Sequence, residues 1–191
     1  MTTDPSRLNT LAQAARVFGL TDQPSLDPSC RRVLAQADSD KRALTAEEIQ
    51  IITTASGINR DDVRQLQNNA LAFVQEAKTW LAEQRPHLLA PGGALHPSNR
   101  ADACWRDCRD FFRVIIYAVA CGQPEFTDPD GMAALRELYA CMGVPGDGLN
   151  IALEQLKHLS RQQTTDTAMQ TLVTAAFDHL IGELNKSAVK S

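Results

Sequence analysis

Strand signals are almost absent from this chain: no run of alternating β-branched residues stands between turn-forming pairs, which argues against a sheet. Long apolar runs are missing as well. None approaches the roughly 18 residues that span a bilayer, and MTTDPSRLNT lacks the basic-then-apolar build of a secretory signal, so a soluble, cytoplasmic protein without membrane insertion is expected. Basic clusters are equally scarce. No Lys/Arg run exceeds two and the formal net charge is −4, whereas a nucleic-acid partner requires a concentrated positive field. Cysteines number five, an odd count over 191 residues, which does not make an extracellular disulfide framework; in a reducing compartment each reads first as a small buried hydrophobe.

What the chain does have is helical spacing. Its hydrophobic content of 43% suffices for the core of one compact domain. SRLNTLAQAARVFGL places Leu8, Leu11, Ala15 and Phe18 on one face, with Ser6 as cap and Gly19 as stop. The Pro/Asp/Ser connector TDQPSLDPS follows, so residues 1–27 are expected to form a semi-detached helical appendage and linker, whose apolar stripe docks on the body or on another subunit. The domain proper is expected over 28–191. A short helix runs from Pro28 to about Ala37, and Thr45 and Glu48 then have the spacing of a reciprocal cap. Val63, Leu66, Ala70, Phe73, Val74 and Leu81 share a face of a long helix that Arg85-Pro86 ends. Further helices cover about Asn99 to Cys121, stopped by Gly122, and three segments beyond. Seven or eight helices of unequal length predict an all-α, globin-like arrangement of obliquely packed helices.

The stretch ADACWRDCRDFFRVIIYAVACG combines a core-forming helix with a charged, thiol-bearing start. At 3.6 residues per turn, Cys104, Asp107, Cys108 and Phe111 lie on one side, while Arg106, Arg109 and Arg113 form a partly different basic side, with Asp110 at pairing distance from Arg106. A solvated helix start with surface ion pairs accounts for this pattern on local evidence. Zinc would want four ligands, and no second Cys/His cluster exists. A disulfide across one helical turn has unsuitable torsions. His158 and His179 read as surface or satisfied core histidines rather than haem ligands.

One further reading rests on resemblance. RPHLLAPGGALHPSNRADACWRDCRDFFRVIIYAVACG, then LRELYACMGVP, is similar to the phycobiliprotein family, the light-harvesting subunits of phycobilisomes, over about Pro28 to Leu184. The family's attachment pattern Cys-x-Arg-Asp stands as Cys104-Trp105-Arg106-Asp107, with Arg113 six and Tyr117 ten positions past the Asp. VLAQADSDKRALTAEEIQ resembles the opening helical hairpin of these subunits. The resemblance implies a globin-like fold with an N-terminal helical hairpin extension, no enzymatic turnover, and a phycocyanobilin-like open-chain tetrapyrrole thioether-linked at Cys104. Asp107 would accept hydrogen bonds from the pyrrole N–H groups, Arg106 and Arg100 would pair with the propionates, and Tyr117 would bound the pocket. It further implies a partner subunit forming a heterodimer and rings, linker proteins, and a peripheral place on the cytoplasmic or stromal face of the photosynthetic membrane.

The chain departs from that pattern at several places. Ala94 stands where beta-type subunits carry an asparagine, His96 where an aromatic follows, Asn99 where one of two arginines stands, and Gly122-Gln123 where Gly-Asp is frequent. SRQQTTDTAMQTL holds no cysteine for a second attachment site, so one bilin at most is implied. LRELYACMGVP leans to the beta type. The alternative is a bilin-free or weakly pigmented paralogue that caps, supports or regulates assembly.

Overall fold

The computed structural model describes residues 4–186; the outer ends of the expected segments 1–27 and 28–191 lie outside them. These residues form eight α-helices and no strand: α1 (Pro5–Ala14), α2 (Pro28–Ser39), α3 (Ala46–Ser56), α4 (Arg60–Gln84), α5 (Ser98–Ala120), α6 (Pro129–Met142), α7 (Gly146–Gln163) and α8 (Thr167–Leu184). The fold is the all-α, globin-like one. α2 and α3 make the opening helical pair, and α5 crosses the interior against α4, α7 and α8.

Local chemistry accounts for most boundaries. Thr45 accepts a hydrogen bond from the Glu48 amide while the Glu48 carboxylate accepts from the Thr45 amide, so two otherwise orphaned donors are satisfied at the start of α3. Asn59, Asp128 and Asp166 cap α4, α6 and α8 from one side only, each accepting from a first-turn amide. α5 ends where Gly122 adopts φ +64°, a backbone state that a side chain disfavours. The turn after α2 is tied to α4 by a reciprocal pair: the Leu44 amide donates to the Gln67 side-chain oxygen and the Gln67 amide donates back to the Leu44 carbonyl, both at 2.9 Å.

The amino-terminal segment differs from its expectation in two respects. Asp4, not Ser6, caps α1, and the helix stops at Ala14 rather than at Gly19. Residues beyond Ala14 leave the helix because they gain backbone partners elsewhere. Phe18 forms an isolated antiparallel bridge with Thr127, the Gly19 amide donates to the Phe126 carbonyl at 2.7 Å, and the Asp128 amide donates to Val17 at 2.9 Å. Nor is the segment semi-detached. α1 lies along α6, and Phe18 is fully buried, its ring edge-on to Tyr117 at 5.5 Å and 6.4 Å from Phe126. Of the two docking sites its apolar stripe allowed, the body is the one used.

His179 behaves as a satisfied interior histidine: its Nε2 lies 2.8 Å from the Thr127 hydroxyl and its ring 5.5 Å from that of Phe126. Burial holds its pKa below the ordinary histidine value. His158 is exposed on α7.

Two outcomes follow from this packing. Phe18→Ala is expected to cost about 3 kcal/mol in urea unfolding, as for other buried Phe truncations, whereas a detached appendage would register no change. Because the unfolded chain binds the His179 proton more readily than the folded one, stability should rise with pH through the unfolded pKa and fall as pH drops below it. The urea midpoint should therefore decline from pH 7 toward pH 5, and His179→Gln should flatten that slope.

Candidate functional site

A cleft of about 540 Å³ opens along the first turns of α5, within the size range of small-molecule sites. Its floor is the α5 face bearing Asn99, Arg100, Cys104, Asp107, Phe111 and Val114. At 1.5 Å per residue that face is about 22 Å long, so the cleft suits an elongated ligand better than a compact one. One wall is α6, through Leu135, Leu138, Tyr139 and Met142; the turn Gly143–Pro145 continues it. Ala94 and Leu95 close one end, and Asp38 and Lys41 stand at another part of the rim. A more open groove of about 720 Å³ between α4 and α7, lined by Trp80, Arg85 and Glu154 among others, holds no thiol.

The predicted residues separate by depth. Cys104 is 9% exposed and lines the cleft, whereas Cys108, one turn on, is fully buried and does not. The side they were expected to share is thus divided: helical rotation over four residues turns Cys108 into the core. Contact with the Cys104 thiol and burial push the Cys108 thiol well above its ordinary range, so it stays protonated. Asp107 lies in the cleft with its Oδ2 accepting from the Tyr139 hydroxyl at 2.6 Å. Burial, and next the Asp107 charge, push the Tyr139 phenol upward, which keeps it a donor to that carboxylate. Arg106 pairs with Asp107 at 3.5 Å rather than with Asp110, and its side chain is 64% exposed. Arg100 is also exposed at the cleft. Two guanidinium groups thus stand beside one carboxylate and one thiol.

Tyr117 requires a correction. Expected to bound the pocket, it is wholly buried beyond the end of the cleft. Its hydroxyl donates to the Arg42 carbonyl and accepts from Arg113 at 3.0 Å, and Phe18 covers its ring. Arg113, which does reach the cleft, pairs with Asp38 at 2.9 Å. Among the described residues no group of three His, Cys, Asp or Glu side chains is placed to hold a metal, and no helix is long and apolar enough to cross a membrane.

With a thiol, a carboxylate and two arginines on one elongated cleft, the comparisons with known proteins become decisive. A family model described as Phycobilisome protein matches residues 32–184. The chain belongs to the phycobilisome protein family. It is 33% identical over 138 residues to the C-phycocyanin beta chain of Aglaothamnion neglectum, covering 71% of this chain and 80% of that one. The C-phycocyanin beta subunit of a Nostoc species is 33% identical over 129 residues, covering 66% and 75%. The R-phycocyanin beta chain of Polysiphonia urceolata is 32% identical over 139 residues, covering 71% and 81%. This is a divergent, beta-like phycobiliprotein.

The cleft of this phycobiliprotein also contains residues that sequence reasoning did not select. Tyr139 lies in the stretch LRELYACMGVP, on one stripe with Leu135 and Met142, a spacing that marks a packed face but not which groove it faces. Arg16 and Lys41 had no such signal, because their place depends on chain crossings distant in sequence. Lining the cleft should make Cys104 chemically distinguishable: iodoacetamide on the folded protein is expected to modify Cys104 before Cys30, Cys108 and Cys121, as read by peptide mass mapping. Burial pushes Cys121 up to about 12, which slows it further.

Proposed function

We propose that this phycobiliprotein is a light-harvesting subunit carrying one open-chain tetrapyrrole of phycocyanobilin type, thioether-linked at Cys104. The observation that carries the reading is the joint placement of the Cys104 thiol and the Asp107 carboxylate on the floor of an elongated cleft, with Arg100 and Arg106 beside them. The pigment, when bound, supplies the absorption of visible light; the chain supplies grip and electrostatics. Cys104 provides the covalent tether. Asp107 is an ionised acceptor for pyrrole N–H groups, and it favours a cationic pigment. Arg100 and Arg106 pair with propionates through planar guanidinium groups. The apolar α6 wall restrains twisting, which would otherwise discharge excitation as heat. Nothing is turned over.

The same reading supplies the partners: a second phycobiliprotein subunit forming a heterodimer, ring assembly with linker proteins, and a peripheral position on the cytoplasmic or stromal face of the photosynthetic membrane. A second reading is favoured by Ala94 and Asn99 in the cleft and by the Tyr139 hydroxyl on Asp107: a bilin-free or weakly pigmented paralogue with a structural, capping or assembly-regulating role.

Coexpression with a bilin supply and a lyase, then denaturing electrophoresis with zinc fluorescence, separates the two. A fluorescent band lost in Cys104→Ala is expected. Asp107→Asn should retain the band but lose emission severalfold in the native protein. A colourless wild-type chain that still joins a phycobiliprotein assembly would overturn the antenna reading in favour of the structural one.

A further inference from the structure

The cleft has a wall that the matched family region does not contain. Ala15, Arg16, Val17 and Phe18 line the same cavity as Cys104, yet the family match begins at residue 32. This wall is firmly built. Its backbone pairs with Phe126 and Asp128, and the Arg16 guanidinium donates to Asp128 at 2.6 Å and also to Asp22. Gly131, in the first turn of α6, is a point of close approach between the two segments: a Cβ there would lie 2.0 Å from the Arg16 carbonyl oxygen. A side chain at 131 would force the segment off the body, so its seat depends on that glycine.

Position along α5 says what the wall does. Phe18 packs on Tyr117, and the segment shares the cleft with Arg113 and Val114, about 15 Å along the helix axis from Cys104. A ligand tethered at Cys104 and laid along the groove toward Arg113 meets this segment at its free end. Resting on the reading of the cleft as a pigment site, we infer that residues 15–18 form an accessory subsite: a fixed wall that clasps the free end of an elongated, carboxylate-bearing ligand tethered at Cys104. Ala15 and Val17 offer apolar contact and Lys41 positive charge, while the two aspartates that pair with Arg16 fix the wall in place.

Two variants perturb the wall in different ways. Gly131→Ala displaces it without removing any of its side chains, and Ala15→Trp fills the space in front of it. The apo chain, in a Cys141→Ser background, is labelled at Cys104 with fluorescein maleimide, a carboxylate-bearing ring system. Steady-state anisotropy is expected to fall in Gly131→Ala, and labelling yield to drop severalfold in Ala15→Trp. In chains loaded with bilin, Gly131→Ala should keep the attached pigment but lose emission yield severalfold.

Anisotropy, labelling and emission all equal to wild type in both variants overturn the subsite. Should Gly131→Ala fail to fold, Ala15→Trp decides alone through its labelling yield. A wild type that takes no bilin removes the antenna reading, while the fluorescein measurements still judge the wall. Bilin attached with both variants matching wild type leaves the antenna reading standing and removes the subsite.

Discussion

Burial of α5 is the constraint on which the site depends. From Ile115 to Ala120 every residue of this helix is buried in the core, whereas its first turns leave one side to the cleft. A rigid helix cannot rotate one half without the other. Turning Cys104 or Asp107 away from the cleft would pull Phe111, Ile115 and Ala118 out of the core, at about 0.8 kcal/mol for each buried methylene exposed. The interior half thereby sets the angular position of the exposed half, and the Tyr139 hydrogen bond to Asp107 adds to a cleft-facing placement that burial has already fixed.

Charge pairing does for the rim what burial does for the floor. Arg113 reaches from α5 to Asp38 at the end of α2, and Tyr117 bonds the Arg42 carbonyl in the turn that follows. Arg42 in turn grips Glu48 through two hydrogen bonds, at 2.7 and 2.8 Å, beside the α3 cap. These contacts pin the turn carrying Asp38 and Lys41 to the cleft edge. Both members of the Arg113–Asp38 pair are largely withdrawn from solvent, where the attraction is screened less than at the surface. Tyr117 and Arg113 thus serve the opening hairpin of this phycobiliprotein, and the cleft feels Tyr117 through them.

Features governed by near neighbours were legible in the chain. The Thr45–Glu48 cap, the stop at Gly122, the break at Arg85-Pro86 and the apolar face of α4 follow from spacing within one or two turns, and each is found in the fold. The Cys-x-Arg-Asp pattern placed Cys104, Arg106 and Asp107 on one helix with Arg100 one turn earlier on it, and all four line the cleft. Features governed by distant segments were misread. Ala15 and Phe18 fit a helical stripe, but two backbone hydrogen bonds to the 126–128 strand-like stretch and burial of Phe18 outweigh one further helical turn. Tyr117 obeys the helical period yet lies where Phe18 arrives to cover it.

By itself the order of residues determined the helices, most of their caps and stops beyond the first helix, and the membership of the family, because each rests on short-range periodicity or on a contiguous motif. Only the tertiary structure decided that Cys108 turns inward, that Tyr139 bonds Asp107, that Tyr117 stands behind the cleft, and that the amino-terminal segment completes its wall. Those outcomes depend on which surfaces meet after collapse, and the packing of residues more than 30 positions apart leaves no periodic trace in either partner.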